Sequence, residues 1–540
     1  MTLVRDRPPA AAAVLRRDRR RWPWGLGAAA LLVWSLAGSG LFTEPVVNTG
    51  GLGEFRRFAA AALQPELDGE FLRVVAESAL VTVAYAALGA GLAVLLGSLG
   101  AVALARTTWG RRRAGWTAAR GLLAVPRGLH EAVWGLLLVN VLGLDPWVGV
   151  LAIGLPYGAV TAKVFADLVD EVPRGPYTAL LAAGTGRATA AVYGLLPPAA
   201  GGLLSYAFYR LECAVRSAVV LGLIGAGGLG YQLALSFSSL RWEQVWTTVY
   251  ALAVLCMLAD VAGRRVRRRL ATASTSGGAV LRRDPVLTGA VVGSLLLAAW
   301  SWWYLALSPA TLVSERTREQ VAYVARAGWP PDTDEALLSA IASTAVDTVQ
   351  MSVIAIALAA TGALALTGVT ARPSGPSSLV RRWTGSAVRV GLLLLRAIPP
   401  PIWALVLLFV FLPGVLPGAL ALGVYTLGVL GRLLGEAAEE VDPRPRELLR
   451  AGGASPASAW LYATLPALSG PAIALSLYRW EVAIRDTVLV GLLGAGGLGA
   501  LLSARISAFD WSAVTTVLVA IVLLTFAVDL VSGRARAALR

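Results

Sequence analysis

Apolar runs of near helical-span length recur along the entire chain, separated by short polar segments. The first extends from Trp24 to Phe42. A helix needs about 20 apolar residues to cross a bilayer. Counting runs of that kind predicts about twelve membrane helices, six in each half, in an all-α polytopic membrane protein. The first run follows a basic stretch, as a signal peptide's would, but no small-residue cleavage site precedes the next loop. It is expected to be retained as a helix that directs insertion.

Composition agrees with the pattern. The 540 residues are 57% hydrophobic and only 15% charged, whereas soluble domains carry about 25% charged residues. A net charge of +15 raises nucleic acid as a partner, but the placement of the charge excludes it. Basic residues cluster between apolar runs, at Arg16 to Arg21, Arg111 to Arg113, Arg264 to Arg269, Arg381 with Arg382, and Arg534 with Arg536. Segments Thr43 to Glu70 and Pro309 to Glu335 mix acids and bases instead. That alternation is the positive-inside pattern of a multi-pass protein of the cell membrane. It puts both termini in the cytoplasm and makes membrane lipid the surrounding partner. Cys213 and Cys256 both fall in apolar runs, so no disulfide framework is expected.

The chain repeats itself. Gly225-Ala226-Gly227-Gly228-Leu229-Gly230 returns as Gly494-Ala495-Gly496-Gly497-Leu498-Gly499, 269 residues on. The same offset pairs Trp134 with Trp403, Lys163 with Arg432, Glu171 with Glu440, Pro197 with Pro466, Glu212 with Glu481, Arg216 with Arg485 and Asp260 with Asp529. Chance likeness between apolar sequences does not hold charges, prolines and tryptophans in one register. The expected organisation is a first repeat at residues 1–270, a cytoplasmic linker at 271–284 and a second repeat at 285–540. The linker includes the Thr-, Ser- and Gly-rich stretch Ala271 to Gly278. Because each repeat crosses an even number of times, the two are parallel, with the pathway expected between them. A Pro- and Ser-rich loop, Arg372 to Ser378, interrupts the second repeat only.

The glycine string satisfies the dinucleotide fingerprint G-x-G-x-x-G literally, but it lacks the strand and βαβ unit that reading requires. Close backbone packing or a turn is the expected role. Between the fourth and fifth helices of the second repeat, Glu447-Leu448-Leu449-Arg450-Ala451-Gly452-Gly453 precedes Leu465-Pro466. The first repeat has Thr178-Ala179-Leu180-Leu181-Ala182-Ala183-Gly184 and then Leu196-Pro197. This spacing resembles the EAA loop of ABC importer permeases, with Thr178 in place of the acid. The resemblance implies a short helix, around Thr178, Ala179 and Gly184 and around Glu447, Ala451 and Gly453, that docks into an ATP-binding cassette subunit.

Methionine and glycine-betaine permeases share the glycine string, but the phosphonate permease family is closer. The chain resembles it at Glu212-x-x-x-Arg216-Ser217-x-x-x-Leu221-Gly222, at Glu481-x-x-x-Arg485-Asp486 with Gly491, and at Gly143-Leu144-Asp145-Pro146-Trp147-Val148-Gly149. Arg396-Ala397-Ile398-Pro399 with Trp403 adds to it, while His130 departs, standing where the second repeat has Pro399. The likeness implies the type I ABC importer permease fold and import of a small oxyanion: phosphonate, phosphite or a phosphate ester. It also implies an extracytoplasmic substrate-binding protein as partner. A permease for another small solute, such as methionine or glycine betaine, and a secondary transporter with two parallel six-helix halves remain open.

Candidate pathway residues follow from charge inside a membrane helix. Glu212 with Arg216, and Glu481 with Arg485, are spaced for intrahelical pairs. Two readings stand: self-neutralising pairs, or arginines that attract an oxyanion through their bidentate fork. A fifth helix beginning near Pro197 puts Arg216 about 28 Å along at 1.5 Å per residue, near the outer face. Lys163 with Asp167 and Arg432 with Glu436 read as structural pairs. The only lysine is Lys163, and its context, Ala162-Lys163-Val164, is no nucleotide loop, so ATP hydrolysis is expected from a separate subunit. One histidine, His130, and no cysteine pair at metal spacing leave no expected metal site, cofactor or catalytic residue.

Overall fold

The computed structural model describes residues 10–42, 45–109, 113–274, 284–372 and 378–539. Residues 111–112, 275–278 and 373–377, which belong to an expected basic cluster, the linker and the second-repeat loop, lie outside them. So do the side chains of the Arg16 to Arg21 cluster. Among the described residues every regular element is a helix, apart from one isolated bridge between Val47 and Phe411. Helices are what an apolar chain in lipid is restricted to, since each backbone N–H and C=O must find its partner within the segment.

The first repeat supplies α1 (Ala10–Gly38), α2 (Gly69–Leu104), α3 (Glu131–Leu142), α4 (Trp147–Glu171), α5 (Gly175–Ala182), α6 (Leu196–Leu221), α7 (Gly228–Ser238) and α8 (Trp242–Ser274). The second supplies α9 (Pro285–Tyr304), α10 (Glu335–Thr370), α11 (Leu379–Ala397), α12 (Pro400–Val410) and α13 (Val415–Glu440). It continues with α14 (Arg444–Ala451), α15 (Leu465–Val490), α16 (Gly497–Ser507) and α17 (Trp511–Leu539). Among the described residues, eight helices are long and apolar enough to cross a membrane. The number is ten when the bent pairs α6–α7 (54°) and α11–α12 (95°) each count as one span. In the first repeat α1, and the broken run from Arg113 through α3, stand at the stations of α9 and α11–α12. Each repeat therefore has the same six stations.

Two compact units form, one from residues 56–330 and the other from 1–55 with 331–540. They do not coincide with the sequence repeats, because the first helix of each repeat packs in the unit built on the other. In the 56–330 unit, Trp147 at the start of α4 donates its indole N–H to the Ser308 carbonyl just after α9, at 2.8 Å. Its ring meets Trp302 of α9 edge-on at 5.5 Å. In the other unit α1 lies on α10, so closely that a Cβ on Gly38 would overlap the Gln350 amide.

Within each unit the second and fourth stations form the heart of the core. Ile153, wholly buried, packs with Tyr85, Ala86 and Ala90 in one. Met351, Ala355, Ala421 and Leu422 do so in the other. The repeat also reaches single hydrogen bonds. Trp134 donates its indole N–H to the Pro126 carbonyl at 3.2 Å, and Trp403 donates to that of Leu395 at 3.0 Å. His130 occupies the N-cap of α3, its Nδ1 accepting the Ala132 N–H at 3.1 Å; Pro399 holds the same place before α12.

Candidate coupling surface and intramembrane arginines

Both expected coupling segments are short helices closed by a left-handed glycine. α5 ends where Gly184 takes φ +85°, and α14 ends where Gly453 takes φ +89°. The N–H of Thr185 returns to the Leu180 carbonyl at 3.1 Å and that of Gly184 to Leu181 at 3.0 Å. The second repeat matches it: Ala454 to Leu449 at 3.0 Å and Gly453 to Arg450 at 3.0 Å. This is the Schellman closure, which needs a residue at ease with positive φ and so selects glycine. Thr178, Ala179, Gly184, Glu447, Ala451 and Gly453 are all exposed. Thr178 turns its hydroxyl onto the Arg174 and Gly175 carbonyls, 3.0 Å each. Next to these turns, Tyr193 and Tyr462 stand at equivalent positions, 71% and 78% exposed, with Leu448 also open. The two tyrosines were not singled out from the sequence; an aromatic held at the repeat offset between the coupling turn and the Leu-Pro of the next helix was the signal.

The ion pairs of the fifth station run between helices rather than along one. Glu212 on α6 accepts from Arg267 on α8 at 2.6 Å, and Glu481 on α15 pairs with Arg536 on α17 at 2.5 Å. Arg267 and Arg536 are themselves repeat equivalents. Arg216 lies 4.0 Å from Asp260, which also faces Arg264 at 3.7 Å. Arg485 directs its Nε to the Glu481 carbonyl at 3.3 Å. Intrahelical pairing of Glu212 with Arg216 is therefore not what forms. The Arg216 neighbour Asp260 is one turn from Arg264, the start of the arginine cluster at the end of α8, and α6 runs 16 residues from Leu196 before Glu212 meets that end. At the fourth station, Arg432 pairs with Glu436 at 2.9 Å as expected, whereas Asp167 pairs with Arg120 at 2.9 Å.

The glycine strings bend the end of the fifth station. Gly225 and Gly494 take φ +101° and +97°, and the chain then turns into α7 and α16. A Cβ on Gly230 would fall 1.8 Å from the Val219 carbonyl oxygen, and one on Gly499 2.1 Å from that of Val488. Backbone against backbone is the reason for glycine here, and the turn needs no ligand.

A second pair of arginines, which charge counting on the fifth helix missed, lies six residues earlier on that helix in each repeat. Arg210 on α6 is stacked on three tyrosines, its guanidinium carbon 4.6 Å from the Tyr157 ring, 5.0 Å from Tyr206 and 6.0 Å from Tyr209. Its Nε donates to the Tyr206 hydroxyl at 3.0 Å. Tyr157 and Ser217 share a hydrogen bond at 2.6 Å, and Ser217 donates onward to Glu131 at 2.6 Å. At the repeat offset stand Arg479, Thr426 for Tyr157, Leu475 for Tyr206, Asp486 for Ser217 and Pro400 for Glu131. The carboxylate of the cluster stands on the third station in the first repeat, as Glu131, and on the fifth in the second, as Asp486. Arg479 is 8% exposed, with Nη2 3.8 Å from Asp486 and the Tyr425 ring 6.0 Å away. Its Nε and Nη2, and the Thr426 hydroxyl, make no hydrogen bond within the chain.

Each repeat carries a set of apolar helices and one glycine-closed helix beside an exposed aromatic, the pattern of a duplicated multi-pass membrane protein. The chain belongs to the family of binding-protein-dependent transport system inner membrane components, which matches it twice, at residues 93–272 and 365–540. It is 28% identical over 425 residues to the phosphate-import permease protein of Mycolicibacterium smegmatis, covering 78% of this chain and 77% of that protein. It is 33% identical over 243 residues to a phosphite transport system permease protein of Stutzerimonas stutzeri, covering 45% of this chain and 85% of that protein. A putative cryptic phosphonate transport system permease protein of Escherichia coli is 39% identical over 117 residues, 22% of this chain and 96% of that protein.

Proposed function

We propose that this chain supplies both membrane halves of an ATP-driven importer for a small phosphorus oxyanion: phosphonate, phosphite or phosphate. The observation that carries the coupling half of this reading is the pair of exposed, glycine-closed helices α5 and α14 at matching positions. A short helix ending in a fixed turn transmits force as a rigid lever. An exposed tyrosine and neighbouring apolar side chains offer each lever a docking surface, and apolar patches of that kind mark interaction sites. ATP hydrolysis comes from separate ATP-binding cassette subunits docked there, and an extracytoplasmic binding protein delivers the substrate. The phosphorus class is supported by the relatives, among them a phosphate-import permease that covers 78% of the chain. The arginine-rich helix ends support a cytoplasmic placement of both termini.

Within this reading Arg216 and Arg485 are transient contacts for the anion along its route, and Glu212 and Glu481 hold the helices that carry them. The test is purification of the chain with its co-isolating subunits, reconstitution into liposomes, and uptake of labelled phosphate, phosphite and methylphosphonate. Uptake that requires ATP and the binding protein is expected. Uptake driven by an ion gradient without ATP would establish a secondary transporter instead. ATP-dependent uptake of methionine or glycine betaine alone would overturn the substrate class.

A further inference from the structure

The two units treat their equivalent arginine in opposite ways. Around Arg210 the space is filled, with Tyr206 accepting its hydrogen bond and Tyr157 lying against the guanidinium face. Around Arg479 both of these tyrosines are gone, replaced by Leu475 and Thr426. The acid that balances the charge, Asp486, stands at 3.8 Å, beyond hydrogen-bond reach. Two guanidinium nitrogens and one hydroxyl in the buried part of the unit thus make no hydrogen bond within the chain. A buried donor left unmade costs about 1–3 kcal/mol, and more when it is charged. Charged groups inside membrane helices persist where they serve a substrate route or relay.

We propose that Arg479 and Thr426 form an intramembrane subsite for a tetrahedral phosphorus oxyanion, present in the second repeat and plugged in the first by Tyr157. This rests on the importer reading above. The chemistry of the donors fits the ligand. Nε and Nη2 of one guanidinium form a planar fork that spans two oxygens of a phosphoryl group. The Thr426 hydroxyl, on α13 where Tyr157 stands on α4, offers a third donor to the remaining oxygens. Asp486 sets the affinity from the other side. It holds the arginine charged and in place when no anion is bound, and repels the anion once it has arrived. A translocation site must bind well enough to admit the ion and weakly enough to release it. A competing carboxylate next to the fork meets both demands.

The reconstituted complex, with its ATPase and binding protein, provides the test. Thr426→Tyr copies the plug of the first repeat, and Arg479→Lys keeps the charge beside Asp486 but removes the fork. Both are expected to cut phosphate, phosphite or methylphosphonate transported per ATP hydrolysed at least tenfold. ATPase stimulation by the loaded binding protein should stay within twofold of wild type. Tyr157→Phe, which alters only the filled unit, should transport within threefold of wild type. Wild-type transport in both Thr426→Tyr and Arg479→Lys overturns the subsite and leaves the importer reading standing. If Thr426→Tyr fails to reach the membrane, Arg479→Lys alone decides. If the wild-type complex takes up none of the three probes, the phosphorus reading falls and the subsite falls with it.

Discussion

The hydroxyl of Thr82 on α2 accepts the backbone N–H of Leu229 at 2.9 Å. The same oxygen donates to the Ser78 carbonyl at 2.9 Å, so one side chain ties the second station to the first turn of α7. Thr348 and Leu498 repeat the contact at 2.9 Å. These threonines are 266 residues apart, whereas the leucines are 269 apart. The three extra residues of the second repeat therefore lie between α10 and the third station, where its Pro- and Ser-rich loop occurs.

Replacing Thr82 with Val keeps the shape and removes the acceptor. The Leu229 N–H would be left buried and unmade, at a cost of about 1–3 kcal/mol. Thermal unfolding in detergent should show a lower midpoint for Thr82→Val and for Thr348→Val, while Thr82→Ser stays near wild type. A midpoint for Thr82→Val equal to wild type would show that the tie carries no stability.

The interhelical ion pairs are asymmetric in exposure, and this sets the order of mutational cost. The Glu212 side chain is 6% exposed, against 25% for Arg267. Removing the arginine strands a carboxylate in the protein interior, whereas removing the glutamate leaves an arginine that still reaches toward polar surroundings. Arg267→Gln is expected to cost about 3 kcal/mol, Glu212→Gln less, and the double variant less than Arg267→Gln alone. Arg536 and Glu481 should follow the same order. A double-mutant cycle on unfolding midpoints checks it, and additive effects would contradict the pairing.

The features legible in the sequence were those the repeat made redundant. The glycine strings, the coupling segments and the tryptophans Trp134 and Trp403 each occur at one offset, so their positions stood out against an apolar background. Partners contributed by another helix were not legible in the same way. Glu212 and Arg216 share a face at helical spacing, and local spacing favoured pairing them. The actual partner, Arg267, is 55 residues away on α8, and only helix packing brings it close. The exchange of α1 and α9 between the compact units was hidden for the same reason, since a repeat reports likeness and not location. Arg479 escaped notice because its importance lies in what surrounds it: a Thr and a Leu where the first repeat has two tyrosines.

The coupling turns make a direct prediction. Gly184 and Gly453 hold φ +85° and +89°, where a β-branched residue is strained by at least about 1–2 kcal/mol. Gly453→Val and Gly184→Val should each reduce co-purification of the ATPase. The loss should be larger at Gly453, because α14 presents the exposed acid Glu447 where α5 has Thr178 folded onto its own backbone. Retention of the ATPase by the double variant would remove the docking role from both segments.

The arginines of the fifth station offer the most demanding prediction. Arg216 faces Asp260 at 4.0 Å and keeps 29% of its side chain exposed, so it is held near an acid without being sealed in. That arrangement suits a group that passes an anion onward, and it also suits a purely structural cation. Lysine separates the two roles, because it preserves the charge opposite Asp260 and loses the planar fork that grips phosphoryl oxygens. With Arg216→Lys and Arg485→Lys combined, a transport role predicts uptake reduced about tenfold, the loss of roughly 1.4 kcal/mol of anion stabilisation. Membrane level and ATPase association should be unchanged. The test is initial-rate uptake at limiting substrate, with unfolding midpoints measured on the same preparations. Normal uptake in the double lysine variant would assign both arginines to the structure alone, and a parallel drop in uptake and midpoint would do the same.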